Sequence, residues 1–297
     1  MAVHEEVWTG EALRKFRKDT GFMERIPARN EWVKNRVIHF TDLGNDPEVL
    51  VDNTTYPIPT VDVNDTDIPI SLKHLETTNT GIPIKYLHGL NYPVIEEYTQ
   101  SHTEVLQEMA ADLAIHALSP SSNTGATPVV PTTGTTDGET NAKKQITPKD
   151  IIKLKRLFDD LKIPKKDRIL VLCPQHVEQL LNVSETFREQ YKNIGSGTIV
   201  PKLFGFDIYE YQSVPWYVAA TGAKKAFGSV VNPATDNYAS TAFYAPRTFK
   251  ASADPEMFYT EGKKDAEGRK TKVGFSLWAI TMPKKLEGLG SIVSVAA

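Results

Sequence analysis

The sequence has 297 residues, of which 40% are hydrophobic and 24% charged, with a net charge of −3. This length allows one large or two medium domains with real cores. No apolar run approaches the ~20 residues that a membrane-spanning helix needs. The N-terminus carries early acidic residues and lacks the apolar segment of a signal peptide. Cys173 is the single cysteine, which excludes an internal disulfide and is typical of a protein made in a reducing cytosol.

The charges are unevenly distributed along the chain. The net charge is +2 over residues 1–40, −13 over residues 41–139 and +8 over residues 140–297. Two interpretations stay open. The acidic middle is ordinary solvated surface, or acidic and basic regions of different copies meet in an assembly.

The first predicted element is a short amphipathic helix over residues 5–22. Val7, Trp8, Leu13 and Phe16 lie on one side of it. The same stretch contains a basic cluster, formed by Arg14, Lys15, Arg17 and Lys18. Four bases beside Glu11 and Asp19 are weak evidence for nucleic-acid binding. A solvated helix face is the main interpretation, and contact with nucleic acid or an acidic neighbour is the lesser one.

Residues 35–90 differ from the rest of the chain. They contain β-branched runs with period-two alternation, broken by Asn, Asp, Gly and Pro, which predicts short strands and turns. Such a stretch is too long for an ordinary connection. It predicts an extended arm that buries its apolar side chains elsewhere.

The strongest helical pattern covers residues 93–118. Pro93 suits the first turn, and Glu96 and Glu97 suit the positive end of the helix dipole. Such a helix would be about 40 Å long, which is typical of a spine against which other elements pack. Its predicted apolar stripe consists of Ile95, Tyr98, His102, Val105, Leu106, Met109, Leu113 and Ala117.

Residues 119–147 are rich in Ser, Thr, Gly and Pro and predict a flexible surface loop. A capping pattern at Thr147–Asp150 then starts an amphipathic helix. The apolar run at residues 168–173 predicts a strand buried on both faces, and Pro174 starts another helix. The remaining chain predicts β-segments, including a hairpin with a charged tip at residues 262–270.

The sequence carries no recognised catalytic, nucleotide-binding or metal-binding motif. The seven histidines are scattered, and we interpret His102 and His116 as packing or surface residues. Cys173 and His176 are close in sequence, but the buried strand around Cys173 indicates an inert core thiol. We therefore expect no enzyme, no cofactor and no metal.

The element order, together with two local motifs, resembles the major capsid proteins of tailed bacteriophages. The motifs are the strand–Pro–helix RILVLCPQHVEQLLN at residues 168–182 and the pair GFDIY and SVP at residues 205–209 and 213–215. The resemblance implies an α+β fold of the Hong Kong 97 type. It divides the chain into an N-terminal arm (1–34), an E-loop arm (35–90), a peripheral domain (91–162 and 246–297, with spine helix 93–118 and flexible loop 119–147) and an axial domain (163–245).

The resemblance also implies a function. Many copies would assemble in the host cytoplasm into the icosahedral shell that encloses double-stranded phage DNA. The partners would be other copies, a portal, a separate scaffolding protein, decoration proteins and DNA held without sequence-specific contacts, with no membrane. An encapsulin-like nanocompartment subunit is the first alternative, and a soluble α+β enzyme is the second.

Two sets of charged residues are the candidate contact sites. The first set predicts contacts between subunits, in which an acidic arm meets a basic hairpin of a neighbour: Asp42, Asp46, Glu48, Asp52, Asp62, Asp65, Asp67, Lys263, Lys264, Arg269, Lys270 and Lys272. The second set predicts an acidic face of the spine helix that looks toward packaged DNA and repels it: Glu97, Glu104, Glu108 and Asp112.

Overall fold

The computed structural model of the chain describes residues 17–31, 37–42, 49, 52–54, 56–58, 66–84, 94–138, 142–183, 185, 187–189, 202–265 and 267–296. The α-helices within these ranges are α1 (Val94–Ala117), α2 (Pro148–Asp160) and α3 (Pro174–Val183).

The strands fall into three sheets. They are β1 (Val37–Asp42), β2 (Thr66–Ser71), β3 (Lys73–Glu76), β4 (Thr80–Pro83), β5 (Val129–Pro131), β6 (Arg168–Leu172), β7 (Lys202–Leu203), β8 (Phe206–Glu210), β9 (Trp216–Val218), β10 (Asp236–Tyr244), β11 (Thr248–Ser252), β12 (Glu256–Thr260), β13 (Lys270–Pro283) and β14 (Leu289–Val293).

The largest sheet is seven-stranded and mixed. Its order is β5-β14-β10-β6-β8-β7, and β9 pairs with the first part of β10. Strand β6 lies at its centre, and all five of its residues are buried. Leu170 and Leu172 point to the side covered by α2 and α3, whereas Ile169 and Val171 point to the side covered by the end of α1. This two-sided burial is the reason for the uninterrupted apolar run in the sequence.

The second sheet is built around β13, which is fourteen residues long. Strands β11 and β12 pair antiparallel with successive parts of one edge of β13, and β3 and β4 do the same on its other edge. At about 3.3 Å per residue, β13 extends roughly 45 Å. Helix α1 packs on this sheet through Ile95 and Leu106, against Ile82, Phe275 and Leu277.

Helix α1 therefore connects the two sheets. Its C-terminal part packs on the seven-stranded sheet, where Ala111, Ala114 and Ile115 are at most 2% exposed. The sequence predicts this helix as residues 93–118, and the structure has it as Val94–Ala117. Its role as a spine is confirmed by these contacts at both ends.

A two-stranded antiparallel ribbon projects from the second sheet. It is formed by β1 and β2, with a register that runs from Val37 opposite Ser71 to Asp42 opposite Thr66. Ile38 anchors its base beside Phe249 and Ile280. The ribbon lies inside the segment predicted as an extended arm.

The prediction of a flexible surface loop at residues 119–147 is wrong for its described part. Val130 is 1% exposed in β5, which pairs parallel with β14. The threonines find partners inside the fold: Thr132 Oγ1 donates to the Lys144 carbonyl at 2.8 Å, and Thr133 Oγ1 donates to Asp150 Oδ1 at 2.6 Å. Because these hydroxyls are hydrogen-bonded, a polar segment packs without the cost of unsatisfied groups.

The predicted domain boundaries also require correction. The boundary at residues 162 and 163 separates α2 from its own core, since Leu154 and Phe158 pack in one cluster with Leu170 and Phe206. The boundary at residues 245 and 246 leaves β14 outside the sheet in which it pairs with β10. Both errors arise because segments far apart in sequence return to one sheet.

Candidate subunit-contact surfaces

The acidic face of α1 is held by two bases from the N-terminal segment. Arg17 lies 3.3 Å from Glu104 and 3.6 Å from Glu108, measured between guanidinium nitrogens and carboxylate oxygens. Lys18 Nζ lies 3.6 Å from Glu108 and 2.7 Å from Asp112. The two bases therefore form a continuous ion-pair network with three carboxylates of the helix.

Asp112 is the most buried acid of this network, with 14% of its side chain exposed. It accepts a second hydrogen bond, at 2.5 Å, from the hydroxyl of Tyr211. Burial raises the pKa of Tyr211, and the carboxylate of Asp112 adds to the effect. The Tyr211 ring in turn contacts the edge of Phe22, with centroids 5.0 Å apart. These contacts attach the N-terminal segment to α1 and to the chain that follows β8.

These ion pairs bear on the acidic face of α1 that was predicted to repel DNA. Glu104, Glu108 and Asp112 are partly buried ion pairs, so the expectation that they form a surface repelling DNA is wrong for these three residues. Positive charge within about 4 Å neutralises them, and a neutralised face repels a polyanion weakly. Glu97, the fourth member, is half-buried near the start of the helix.

The predicted apolar stripe of α1 is correct on one flank only. His102 and Leu106 are buried against β13, but Tyr98, Val105 and Met109 are each 41% exposed. Apolar residues cover more of the helix surface than one sheet can contact. The sequence shows the width of the apolar surface and does not show which edge of it faces the sheet.

The two helix histidines are packing residues, as predicted. His102 Nε2 lies 2.9 Å from Thr80 Oγ1, and its ring stacks on Phe275, so it connects α1 to β4 and β13. His116 Nε2 lies 2.8 Å from the carbonyl oxygen of Lys225. Burial lowers the pKa of both imidazoles. They act as neutral structural groups near pH 7.

Cys173 and His176 lie in the core beside Ser240, and both are fully buried. Burial raises the pKa of the Cys173 thiol to about 12 and lowers that of His176 to about 3. A thiol with such a high pKa is a poor nucleophile at neutral pH. The prediction of an inert core thiol is therefore confirmed.

The basic hairpin, defined here as residues 262–272, is exposed at all five of its predicted contact bases. Two of these bases already have acidic neighbours: Lys272 lies 3.1 Å from Asp265, and Lys264 lies 3.7 Å from Glu261. The Gly268 N–H and Lys272 lower the pKa of Asp265. The other three bases, Lys263, Arg269 and Lys270, form no ion pair with the described residues.

Two of the predicted acidic partners of this hairpin lie in the ribbon. Asp42 and Asp67 belong to β1 and β2, at positions close to the outer end of the ladder. Asp52 has a positive φ of 51°. Asp46, Glu48, Asp62 and Asp65 fall outside the described residues. The pairing of these acids with the basic hairpin of another copy therefore stays a prediction.

A further surface is the strand β12, which the sequence analysis treats only as a β-segment. All five of its residues are exposed. Met257, Phe258 and Tyr259 are 43%, 55% and 49% exposed. Three consecutive large apolar side chains cannot all face one core, because successive residues of a strand point to opposite faces. That pattern is the sequence signal for an exposed apolar strand.

The described part of the chain offers no group of three or more His, Cys, Asp or Glu side chains that could hold a metal ion. Among the helices in the described ranges, none is both long and apolar enough to span a membrane.

The sequence matches the family model described as "Phage capsid protein" over residues 88–275, which is more than half of the chain. The chain belongs to the phage capsid protein family. It is a major capsid protein, as predicted, and thus a subunit of a shell made of many copies. A comparison with curated protein sequences finds no match.

Solved phage capsid structures share the fold of this capsid protein. The capsid of Ralstonia phage GP4 matches with a TM-score of 0.70 at 9% identity, covering 99% of this chain and 96% of that one. The capsid of cyanophage P-SCSP1u matches with a TM-score of 0.68 at 17% identity, covering 99% and 94%. The Mycobacterium phage Che8 protein matches with a TM-score of 0.66 at 13% identity, covering 98% and 97%. The predicted α+β capsid fold of the Hong Kong 97 type is confirmed.

Proposed function

We propose that this capsid protein assembles in the host cytoplasm into the icosahedral shell that encloses packaged double-stranded DNA. The observation that carries the proposal is strand β12. It is an edge strand of a sheet that is three strands wide, and it exposes Met257, Phe258 and Tyr259 on both of its faces. An exposed apolar edge strand promotes aggregation unless another chain covers it. In a shell, neighbouring copies supply that cover.

The contacts between copies include an electrostatic component. The acidic ribbon of one copy, with Asp42 and Asp67, pairs with the basic hairpin of the next. Lys263, Arg269 and Lys270 are exposed and support this pairing, because each still has charge available for a partner. Complementary charge of this kind fixes register and accelerates association more than it raises affinity.

The role of the protein in this proposal is structural and non-enzymatic. Its further partners are a portal, a separate scaffolding protein, decoration proteins and the packaged DNA, which it contacts without reading its sequence. Support comes from the membership of the family and from the inert state of the buried Cys173 and His176.

The proposal is tested by sedimentation velocity of the purified full-length chain at rising concentration. Shell formation predicts cooperative conversion of small species into one class of very large particle, because many weak contacts act together. A chain that stays monomeric under all assembly conditions, with scaffolding protein added, would contradict the proposal.

A further inference from the structure

Strand β5 is one edge of the seven-stranded sheet. It pairs with β14 on its inner side, and no other strand in the described part of the chain pairs with it. On this inner side the Thr132 N–H donates to the Val293 carbonyl at 3.0 Å. The Pro128 carbonyl accepts the Ser291 N–H at the same distance. The outer side of an edge strand is a template on which another chain can add a strand.

The outer side of β5 nevertheless lacks a free backbone donor. Because backbone groups of successive strand residues point to opposite edges, Val129, Pro131 and Thr133 face outward. The Val129 N–H donates to Asn123 Oδ1 at 2.9 Å. Pro131 has no N–H. The Thr133 N–H donates to Asp150 Oδ2 at 3.2 Å. A strand that approached this edge would therefore find none of the three donors that it needs.

Pro131 contributes to the edge and little to the interior of the fold. Its side chain is exposed, so it fills no core position. Proline interrupts strand pairing, and natural proteins use it on edge strands to prevent association. The two other donors are occupied by side chains from outside the strand, one from the preceding loop and one from α2. The block thus covers every outward position of this short edge.

Two other sheet edges differ from this one. At the opposite end of the described strand order, β7 has only two residues and offers little for another strand to pair with. Strand β12 has five residues and contains no proline. In a protein of which many copies come together, this difference directs copies away from the β5 edge.

We propose that Asn123 and Pro131 are specificity-determining residues of assembly, because they prevent other copies from adding a strand at β5. Copies of a shell subunit meet at high local concentration, where wrong edge-to-edge pairing competes with the correct contacts. Asp150 provides the third block. It also forms the capping box of α2 with Thr147, so its substitution would disturb the helix as well.

The test uses dissociated subunits of the full chain that carry Asn123→Ala together with Pro131→Val. Alanine releases the Val129 N–H and valine restores the missing one. Both positions are exposed, so no core packing is lost. Asn232→Ala is the matched control, since it removes an acceptor of similar kind, which lies 3.1 Å from the Ala234 nitrogen in the loop between β9 and β10.

We expect the double variant to aggregate at about a tenfold lower concentration than the native chain, because the edge regains two donors. Light scattering measures this concentration. Asn232→Ala aggregates like the native chain, and so does Asn123→Asp, which keeps an acceptor for the Val129 N–H.

Hydrogen exchange, followed by mass spectrometry, locates the contact. In aggregates of the double variant, the amides of residues 129–133 exchange more slowly than in its soluble subunits, because an added strand covers them. Exchange in β6 stays unchanged, which shows that the fold is retained. A native aggregation concentration would overturn the proposal, and so would aggregates in which residues 129–133 exchange as fast as before or faster. Neither measurement requires closed shells, so its failure is distinct from failure of the proposed function.

Discussion

At the scale of single residues, the buried groups around His176 show how polar atoms in this core obtain hydrogen-bond partners. Ser240 Oγ accepts the Cys173 N–H at 3.0 Å and lies 2.6 Å from His176 Nδ1. His176 Nε2 lies 2.8 Å from Ser294 Oγ. A neutral imidazole with its proton on Nε2 fits this set, since Ser240 donates to Nδ1 and Nε2–H donates to Ser294. These hydrogen bonds connect α3 to β10 and to the chain after β14.

This arrangement predicts an acid-sensitive fold. The pKa of His176 is about 3 in the folded state, below its ordinary value of 6.5. Between these values the unfolded chain binds a proton that the folded chain does not, so stability falls as the pH drops below 6.5. From pH 7 to pH 5 the loss is about 2 kcal/mol for one such group.

The measurement is reversible denaturant unfolding of dissociated subunits at pH 7 and pH 5. His176→Gln removes the titrating group and keeps a polar side chain. We expect this variant to be less stable at pH 7 and to lose about 2 kcal/mol less than the native chain between the two pH values. Equal losses in the two proteins would show that His176 does not contribute to the acid sensitivity.

The second prediction at this scale concerns Asp112. Asp112→Asn keeps the shape of the side chain and removes the charge that pairs with Lys18 and accepts from Tyr211. A charge-assisted contact that is largely buried stabilises the folded state by about 1–2 kcal/mol. We expect the free energy of unfolding to fall by that amount. Glu178→Gln, at an exposed position in the middle of α3, is the control and changes the free energy of unfolding little.

At the scale of elements, β12 and the basic hairpin are the surfaces that we propose assembly uses. Phe258 is more than half exposed, so Phe258→Asp lowers the stability of the dissociated subunit by at most about 1 kcal/mol. It places a charge where, in our proposal, a neighbouring copy covers the strand. We expect the concentration needed for assembly to rise about tenfold, which corresponds to 1.4 kcal/mol.

Light scattering during assembly measures this concentration. Phe258→Leu keeps an apolar side chain at the same position and assembles like the native chain. If Phe258→Asp also assembles normally, β12 remains uncovered in the shell, and the proposal for this strand is wrong.

Charge reversal tests the hairpin separately. Lys263→Glu with Lys270→Glu places repulsion against the acidic ribbon, and we expect a lower assembly yield that recovers partly in added salt, because salt screens repulsion between exposed charges. Lys165→Glu with Lys166→Glu makes the same change in net charge at two exposed residues outside the hairpin. Identical yields and salt dependence for both pairs would exclude the ribbon–hairpin contact.

At the scale of the whole molecule, the sequence predicts local features well. The capped, uninterrupted pattern of α1 predicts the helix to within a residue, and the run from Arg168 to Leu172 predicts a strand buried on both faces. The element order, together with the motif at residues 168–182, predicts the capsid fold. Apart from the element order, each of these signals is contained in one contiguous stretch.

The features that the sequence does not predict depend on contacts between distant residues. The pairing of β5 with β14 turns a Ser/Thr-rich stretch into packed structure, and no local pattern contains the partner. The ion pairs of Arg17 and Lys18 with α1 neutralise a face that its own sequence describes only as acidic. Composition gives the charge of a surface, and the fold determines which other side chains contact it.

The central claim is that this chain alone forms the repeating unit of a closed shell. Electron cryomicroscopy of particles assembled from the purified full-length chain, with scaffolding protein added where assembly requires it, tests this most directly. We predict closed icosahedral particles in which another copy covers β12 and an acidic ribbon lies against each basic hairpin. A map in which β12 and the hairpin face solvent, or a preparation that contains only monomers and amorphous aggregates, would contradict the account.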